Sequence, residues 1–250
     1  GARRGGRPLV QRLSQAGHAI IIHANTNKAD ADELCAELRK TNPHTWSMVA
    51  GLSDHAAACA LNGQAGQLAG GTLSGLVNNA SVFDYDDPAA MNLAVFDKAM
   101  AVNLRAPALL SEAFFRQASP ERDNCIVNML DMKLWSMNPD FYSYTMSKAG
   151  LLAATDMMAR SFAPTVRVNA IAPGLLLPSY DQTPEEFRAA ASKNLLGREI
   201  DLDDVASALE FLLATPSLTG QVIHVDNGQR LISARRDVIF EPRKSRRPSN

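Results

Sequence analysis

Short apolar runs alternate along this chain with stretches of helical periodicity, and that alternation decides what it can fold into. Runs at 18–24 (HAIIIHA), 45–50 (TWSMVA), 73–79 (LSGLVNN), 124–130 (NCIVNML), 166–171 (VRVNAI) and 221–225 (QVIHV) read as buried strands. Helices are expected at 7–17, 30–40, 54–68, 91–117, 143–162, 184–191 and 202–214, with Ser53 as cap of the third and Pro107 as a kink or break in the fourth. Strands separated by helices cannot pair as hairpins, so they must cross over and run parallel. The expectation is an α/β fold with a single doubly wound parallel sheet, Rossmann-like. There is no internal repeat or linker. Residues 1–232 read as one domain, and 233–250, with six Arg/Lys against two acids, as a basic C-terminal tail, either solvated or docked on a neighbouring subunit.

Charge narrows the function classes. The chain has 25 Lys plus Arg against 26 Asp plus Glu, so no global field favours nucleic acid or an anionic membrane. No run approaches a spanning helix, and no signal peptide is visible. Cys35, Cys59 and Cys125 lie far apart without metal-ligand spacing, which reads as reduced cysteines packed in the fold of a cytoplasmic protein without a metal site.

The chemistry concentrates in residues 131–148, DMKLWSMNPDFYSYTMSK. Tyr144 and Lys148 are four apart, one turn from each other on a helix face. An ammonium beside a phenol favours phenolate, so the pair reads as a general acid with a lowered pKa. Asp131 falls where the 124–130 strand ends, and open α/β sheets bind ligands outside the carboxyl ends of their strands. A Tyr-x-x-x-Lys match alone is common, and a helix or turn cap is the alternative reading of Asp131. Trp135 reads as pocket wall or core. At the N-terminus, GARRGG opens a helix whose free N–H groups suit phosphate, although no strand precedes it.

Five motifs in order resemble the short-chain dehydrogenase/reductase family over nearly the whole chain to about Leu231: VNNAS at 77–81, Asn103, YTMSK at 144–148, RVNAIAPG at 167–174 and GQVIHVDNG at 220–228. Asp131 stands where that family has its catalytic serine. Asp131, Arg4 in the Gly-rich loop, and Ser81 with Phe83 after the NNA turn look like the pteridine reductase and dihydromonapterin/dihydrofolate reductase branch. The resemblance implies that Asp131, Tyr144, Lys148 and Asn103 are catalytic, with Asn103 holding a water that links Lys148 to solvent. It implies that Ser81, Phe83, Asp131 and Tyr144 bind a pterin-like small molecule, Phe83 by stacking. For the cofactor it implies contacts from Arg3, Arg4, Gly6, Asn25, Thr26, Leu52, Asn79, Ala80, Ser81, Tyr144, Lys148, Pro173 and Gly174. The stretch 23–28 (HANTNK) has no carboxylate to bind a ribose 2′-hydroxyl, while Arg3, Arg4 and Lys28 suit a 2′-phosphate, so NADP is expected. The resemblance also implies a homodimer or homotetramer.

Two departures matter. The family's first strand is missing from the chain, which predicts unpaired backbone and a slot in the core. Gly51 replaces an aspartate after the third strand of that pattern. The resulting expectation is an NADPH-dependent reductase of a pterin or dihydrofolate-like C=N substrate. A carbonyl reductase and a non-catalytic dinucleotide-binding protein are the competing readings.

Overall fold

The structure, a computed structural model, describes residues 5–178 and 182–240. Its strands are β1 Ile20–Ala24, β2 Thr45–Val49, β3 Gly75–Asn78, β4 Asn124–Met129, β5 Val166–Pro173 and β6 Val222–Val225, all paired in parallel. The helices are α1 Gly6–Gln15, α2 Lys28–Leu38, α3 His55–Ala69, α4 Leu93–Met100, α5 Ala106–Gln117, α6 Tyr142–Phe162, α7 Pro184–Ala191 and α8 Leu202–Ala214. This is the expected α/β architecture, with crossover helices between parallel strands.

The sheet is in two parts. Among the described residues β1 pairs with β2, β3 through β6 pair in order, and β1 and β3 do not meet. Between them lies a cavity of about 640 Å³, walled by Ile20 and Ile22 of β1, Leu76 of β3, Leu13 of α1, Leu110 of α5 and Leu209 of α8. That is the predicted slot. The central strands show what full pairing does. Every residue of β4 and β5 is buried, and Cys125, Val127, Met129 and Ile171 share a core with Val205, Ala206, Leu209 and Leu212 of α8 and with Leu9 and Leu13 of α1. The register Asn128↔Ala170, Met129↔Ile171 and Pro173↔Val225 brings the strand ends to one rim.

Several local expectations change. Asp54, not Ser53, caps α3 by accepting from the Ala57 N–H. The 91–117 helix is interrupted by a π turn over Ala101–Arg105. Pro107 explains it: it has no N–H for the carbonyl four residues back, at Asn103, and its ring crowds that carbonyl. Cys35 and Cys125 are buried, but Cys59 is exposed on α3. The tail also departs from expectation: Ile239 is buried and packs with Phe141 and Tyr144 on the chain's own surface. The remaining basic residues of the tail, Arg243, Lys244, Arg246 and Arg247, lie outside the described residues, as do Arg3 and Arg4. No helix among the described residues is long and apolar enough to cross a membrane.

Candidate active site

Asp131 follows β4 and caps the 3-10 turn Met132–Trp135, its Oδ1 accepting from the Lys133 N–H at 2.8 Å. Its Oδ2 accepts from the Tyr144 hydroxyl at 2.7 Å. The cap and the catalytic reading are therefore compatible, one oxygen for each. α6 carries Tyr144 and Lys148 to the same rim, because Asp86 fixes its start: Asp86 accepts from the Ser143 N–H at 2.9 Å and from the Ser143 hydroxyl. Phe141, just before α6, is fully buried with φ of 55°, a left-handed conformation that a bulky residue holds only when packing imposes it.

Lys148 donates to the Met129 carbonyl at 2.7 Å and sits 5.8 Å from the centre of the Tyr144 ring. Burial lowers its ammonium to about 8, against the opposing charge of Asp131. The phenol departs from expectation. Burial, and then the neighbouring Asp131 carboxylate, push Tyr144 well above its ordinary value rather than towards neutrality. Burial likewise raises Asp131, partly offset by the bonds from the Lys133 N–H and Tyr144. The resting arrangement is thus a protonated phenol aimed at a carboxylate.

A cavity of about 330 Å³ opens on this pair, lined by Asn79, Ser81, Phe83, Asp131, Tyr144, Lys148, Pro173 and Gly174 among others. These eight residues, all expected from sequence, meet there. Phe83 stacks on Phe141 with ring centres 3.9 Å apart and meets the Tyr144 ring edge-on at 4.6 Å. Gly174 sits in a tight place: a Cβ there would lie 2.6 Å from Gln229 Oε1 and from Ile200 Cδ1, so those side chains would have to move. Asn103 is buried behind the cavity. Its Oδ1 accepts from the Val82 N–H at 2.8 Å and the Ser81 hydroxyl at 3.2 Å, and its amide donates to the Val82 carbonyl and Ser147 Oγ at 3.0 Å. Its side chain ties the loop carrying Ser81 and Phe83 to α6.

The other expected residues among those described lie apart from that cavity. Gly6, Leu52 and Ala80 line the large slot instead, with Leu52 in a core cluster alongside Ala58 and Leu61. Asn25 and Thr26 follow β1, and Lys28 is ion-paired with Asp32. Trp135 is 39% exposed and packs edge-on to His224 at 4.2 Å, neither in the core nor against the small cavity.

Sequence reasoning missed Lys133, Asp140 and the residues that pair with them. Lys133 Nζ donates to Asp237 Oδ2 at 2.8 Å, and both side chains are nearly buried. Buried Asp140 accepts two bonds from Arg236, at 2.8 Å for the closer, and the Asp237 N–H at 2.7 Å. Burial raises Asp140, but the Arg236 bond, the Asp237 N–H and the charges of Arg236 and Lys133 together outweigh it and hold the carboxyl below its ordinary range. Aspartates close to buried aromatic and apolar residues were the available signal, since such groups need cationic partners.

Comparison with known proteins places this site in context. The family model described as enoyl-(acyl carrier protein) reductase matches residues 1–230. A short chain dehydrogenase/reductase from Colletotrichum higginsianum, dpchG, is 30% identical, covering 89% of this chain and 88% of that protein. The 3-oxoacyl-(acyl-carrier-protein) reductase FabG of Aquifex aeolicus is also 30% identical, over 91% of this chain and 94% of its own. Among solved structures, FolM alternative dihydrofolate reductase 1 from Brucella suis in complex with NADP superposes with a TM-score of 0.88 at 35% identity, covering 93% of each chain. Its counterpart from Brucella canis, also with NADP, gives 0.86 at 34%, over 92% of this chain and 91% of that one.

Proposed function

The chain belongs to the short-chain dehydrogenase/reductase family, and from that premise we propose that it is an NADPH-dependent reductase of a pterin or dihydrofolate-like C=N substrate. The observation that carries this reading is the 2.7 Å bond from the Tyr144 hydroxyl to Asp131 beside Phe83. A serine hydroxyl at position 131 would donate to a carbonyl oxygen; an ionised carboxylate only accepts, and so suits the N–H and NH₂ groups of a pterin. The likeness to the two FolM structures at 34–35% identity supports the same substrate class.

NADPH, when bound, supplies the hydride. Lys148, Asn79, Ala80, Ser81, Pro173 and Gly174 fit its ribose and nicotinamide end: a buried amine, an amide and backbone groups at open strand ends. Asn25, Thr26, Leu52, Gly6, Arg3 and Arg4 would hold the remainder, and the lack of a carboxylate at 23–28 suits a 2′-phosphate. Tyr144, kept protonated by burial and by Asp131, gives its proton to the reduced nitrogen. Asp131 takes hydrogen bonds from the substrate's ring N–H and amino groups. Lys148 charges the site and steadies the phenolate that forms. Asn103 positions Ser81 and Phe83 and bears the carbonyl that Pro107 leaves without its helical donor, a place for a relay water to Lys148.

A second reading, reduction of a 3-oxoacyl thioester or other ketone, is favoured by the FabG relative and by the acyl-carrier description of the matching family. NADPH consumption against dihydropterins, dihydrofolate and an acetoacetyl thioester separates the two. Turnover confined to the pterin-type substrates is expected; preference for the thioester overturns the proposal.

A further inference from the structure

The small cavity has a wall that lies outside the five family motifs. Arg236, Asp237, Val238 and Ile239 line it together with Asp131 and Tyr144. Ionic and aromatic contacts hold this segment down. Asp237 is paired with Lys133, whose side chain is 4% exposed, and Arg236 with Asp140, whose side chain is 2% exposed. Phe240 stacks on Phe141 with ring centres 5.8 Å apart and meets Tyr85 edge-on at 5.5 Å. Ser136 Oγ also donates to the Ile232 carbonyl at 2.9 Å, just upstream. Lys133 is the hinge of the arrangement: its backbone N–H holds Asp131 Oδ1 while its side chain holds Asp237. Buried charges of this kind are tolerated only in pairs, so the segment is seated with its partners or leaves them unpaired.

We propose that residues 236–240 form a substrate-binding wall in cis, and that the Lys133–Asp237 pair is the latch that sets affinity for the substrate without taking part in the chemistry. The wall keeps the cavity near 330 Å³, the small end of the range for ligand pockets, which suits a compact ring system. Asp237 is thus a positioning residue acting through Lys133 and the backbone that carries Asp131. This rests on the proposed function only in taking the cavity as the substrate site; it holds for whichever substrate the wild type turns over.

The test is steady-state kinetics of the full chain with Asp237→Ala, with Phe240→Ala, and with the paired apolar replacement Lys133→Met plus Asp237→Leu. Asp237→Ala should raise KM for the preferred substrate by about tenfold or more with kcat within about threefold, and leave NADPH affinity unchanged. Phe240→Ala, which removes no charge, should raise KM by about threefold. The paired replacement removes both charges together and should bring KM back towards wild type. Melting temperatures report folding, and Phe240→Ala keeps the test open if Asp237→Ala does not fold. Folded variants with KM within about twofold of wild type, or a loss confined to NADPH affinity, overturn the proposal. A wild type that prefers the ketone overturns the pterin reading instead, and the same KM comparison then runs on the ketone.

Discussion

The two parts of the sheet differ in how their strands are covered, and the proposed catalytic residues Asp131, Tyr144 and Lys148 fall entirely on the better covered side. In β3–β6 the central strands have neighbours on both edges and are buried throughout. Their rim holds Asp131, Tyr144 and Lys148 within single hydrogen bonds of one another or of the strand ends. β1 and β2 form a two-stranded piece with intermediate and exposed positions, and β3 is exposed at its start. The cavity between them explains the contrast. A parallel strand is fully buried only when flanking strands and both helical layers close on it. The part expected to hold the substrate end of the cofactor is thus rigidly built, while the part expected to hold its far end borders a void.

The largest effect that sharpens this contrast is Tyr144→Phe. Removing the transferable proton should lower kcat/KM by about 10²–10⁴-fold and leave NADPH affinity within about twofold in calorimetry. Retention of most activity would take the acid role from Tyr144; a large loss of cofactor affinity would mean that the two regions are not separable.

A second perturbation acts on the other side. An apolar strand supplied to the slot, fused ahead of Gly1 or added as a peptide, would bury half-buried side chains such as Ile21, Leu76 and Val77 that line the cavity. After the entropy of ordering it, a net gain of about 2 kcal/mol is expected, a rise in melting temperature of about 4–8 °C. NADPH should bind more tightly while kcat on bound substrate stays level. An unchanged melting temperature and affinity would show that the slot does not limit the cofactor side.

The smallest effect is in pH dependence. Lys148, lowered to about 8 by burial, carries its charge below that pH and loses it above. Tyr144, raised well above its ordinary value, stays protonated through the same range. Asp131 is raised, so its acid limb begins at higher pH than for an ordinary carboxylate. The profile of kcat/KM, which reports the free enzyme, should therefore fall as pH rises through about 8. A flat profile through that range would remove Lys148 from the charged state assumed here.

What could be seen in the sequence follows the same division. β4 and β5 were legible because strands buried on both faces read as near-continuous apolar runs, and α6 because Tyr144 and Lys148 keep helical spacing. Asp131 at the end of β4 placed the site. The slot between β1 and β3 was legible from the order of apolar runs set against the family pattern. The contacts from Lys133 to Asp237 and from Asp140 to Arg236 span about a hundred residues and leave no local pattern, so the docked segment read as a tail. Phe141 gave no sign of its left-handed backbone, which packing under Phe83 and Phe240 imposes. The raised phenol of Tyr144 was hidden for a related reason: spacing put Lys148 beside it, but the depth of burial and the Asp131 partner decide the direction.

The central claim is that Asp131 fits the site to nitrogen donors of a pterin rather than to a ketone oxygen. Its most direct test is kcat/KM for a dihydropterin and for a small ketone, measured in wild type and Asp131→Ser. The serine removes a charge-assisted bond worth about 1.5–3 kcal/mol, so dihydropterin reduction should fall by about one to two orders of magnitude. Ketone reduction should hold level or rise, because a hydroxyl can donate to the carbonyl oxygen. Dihydropterin turnover unchanged by Asp131→Ser, or a wild type that prefers the ketone, would contradict the account.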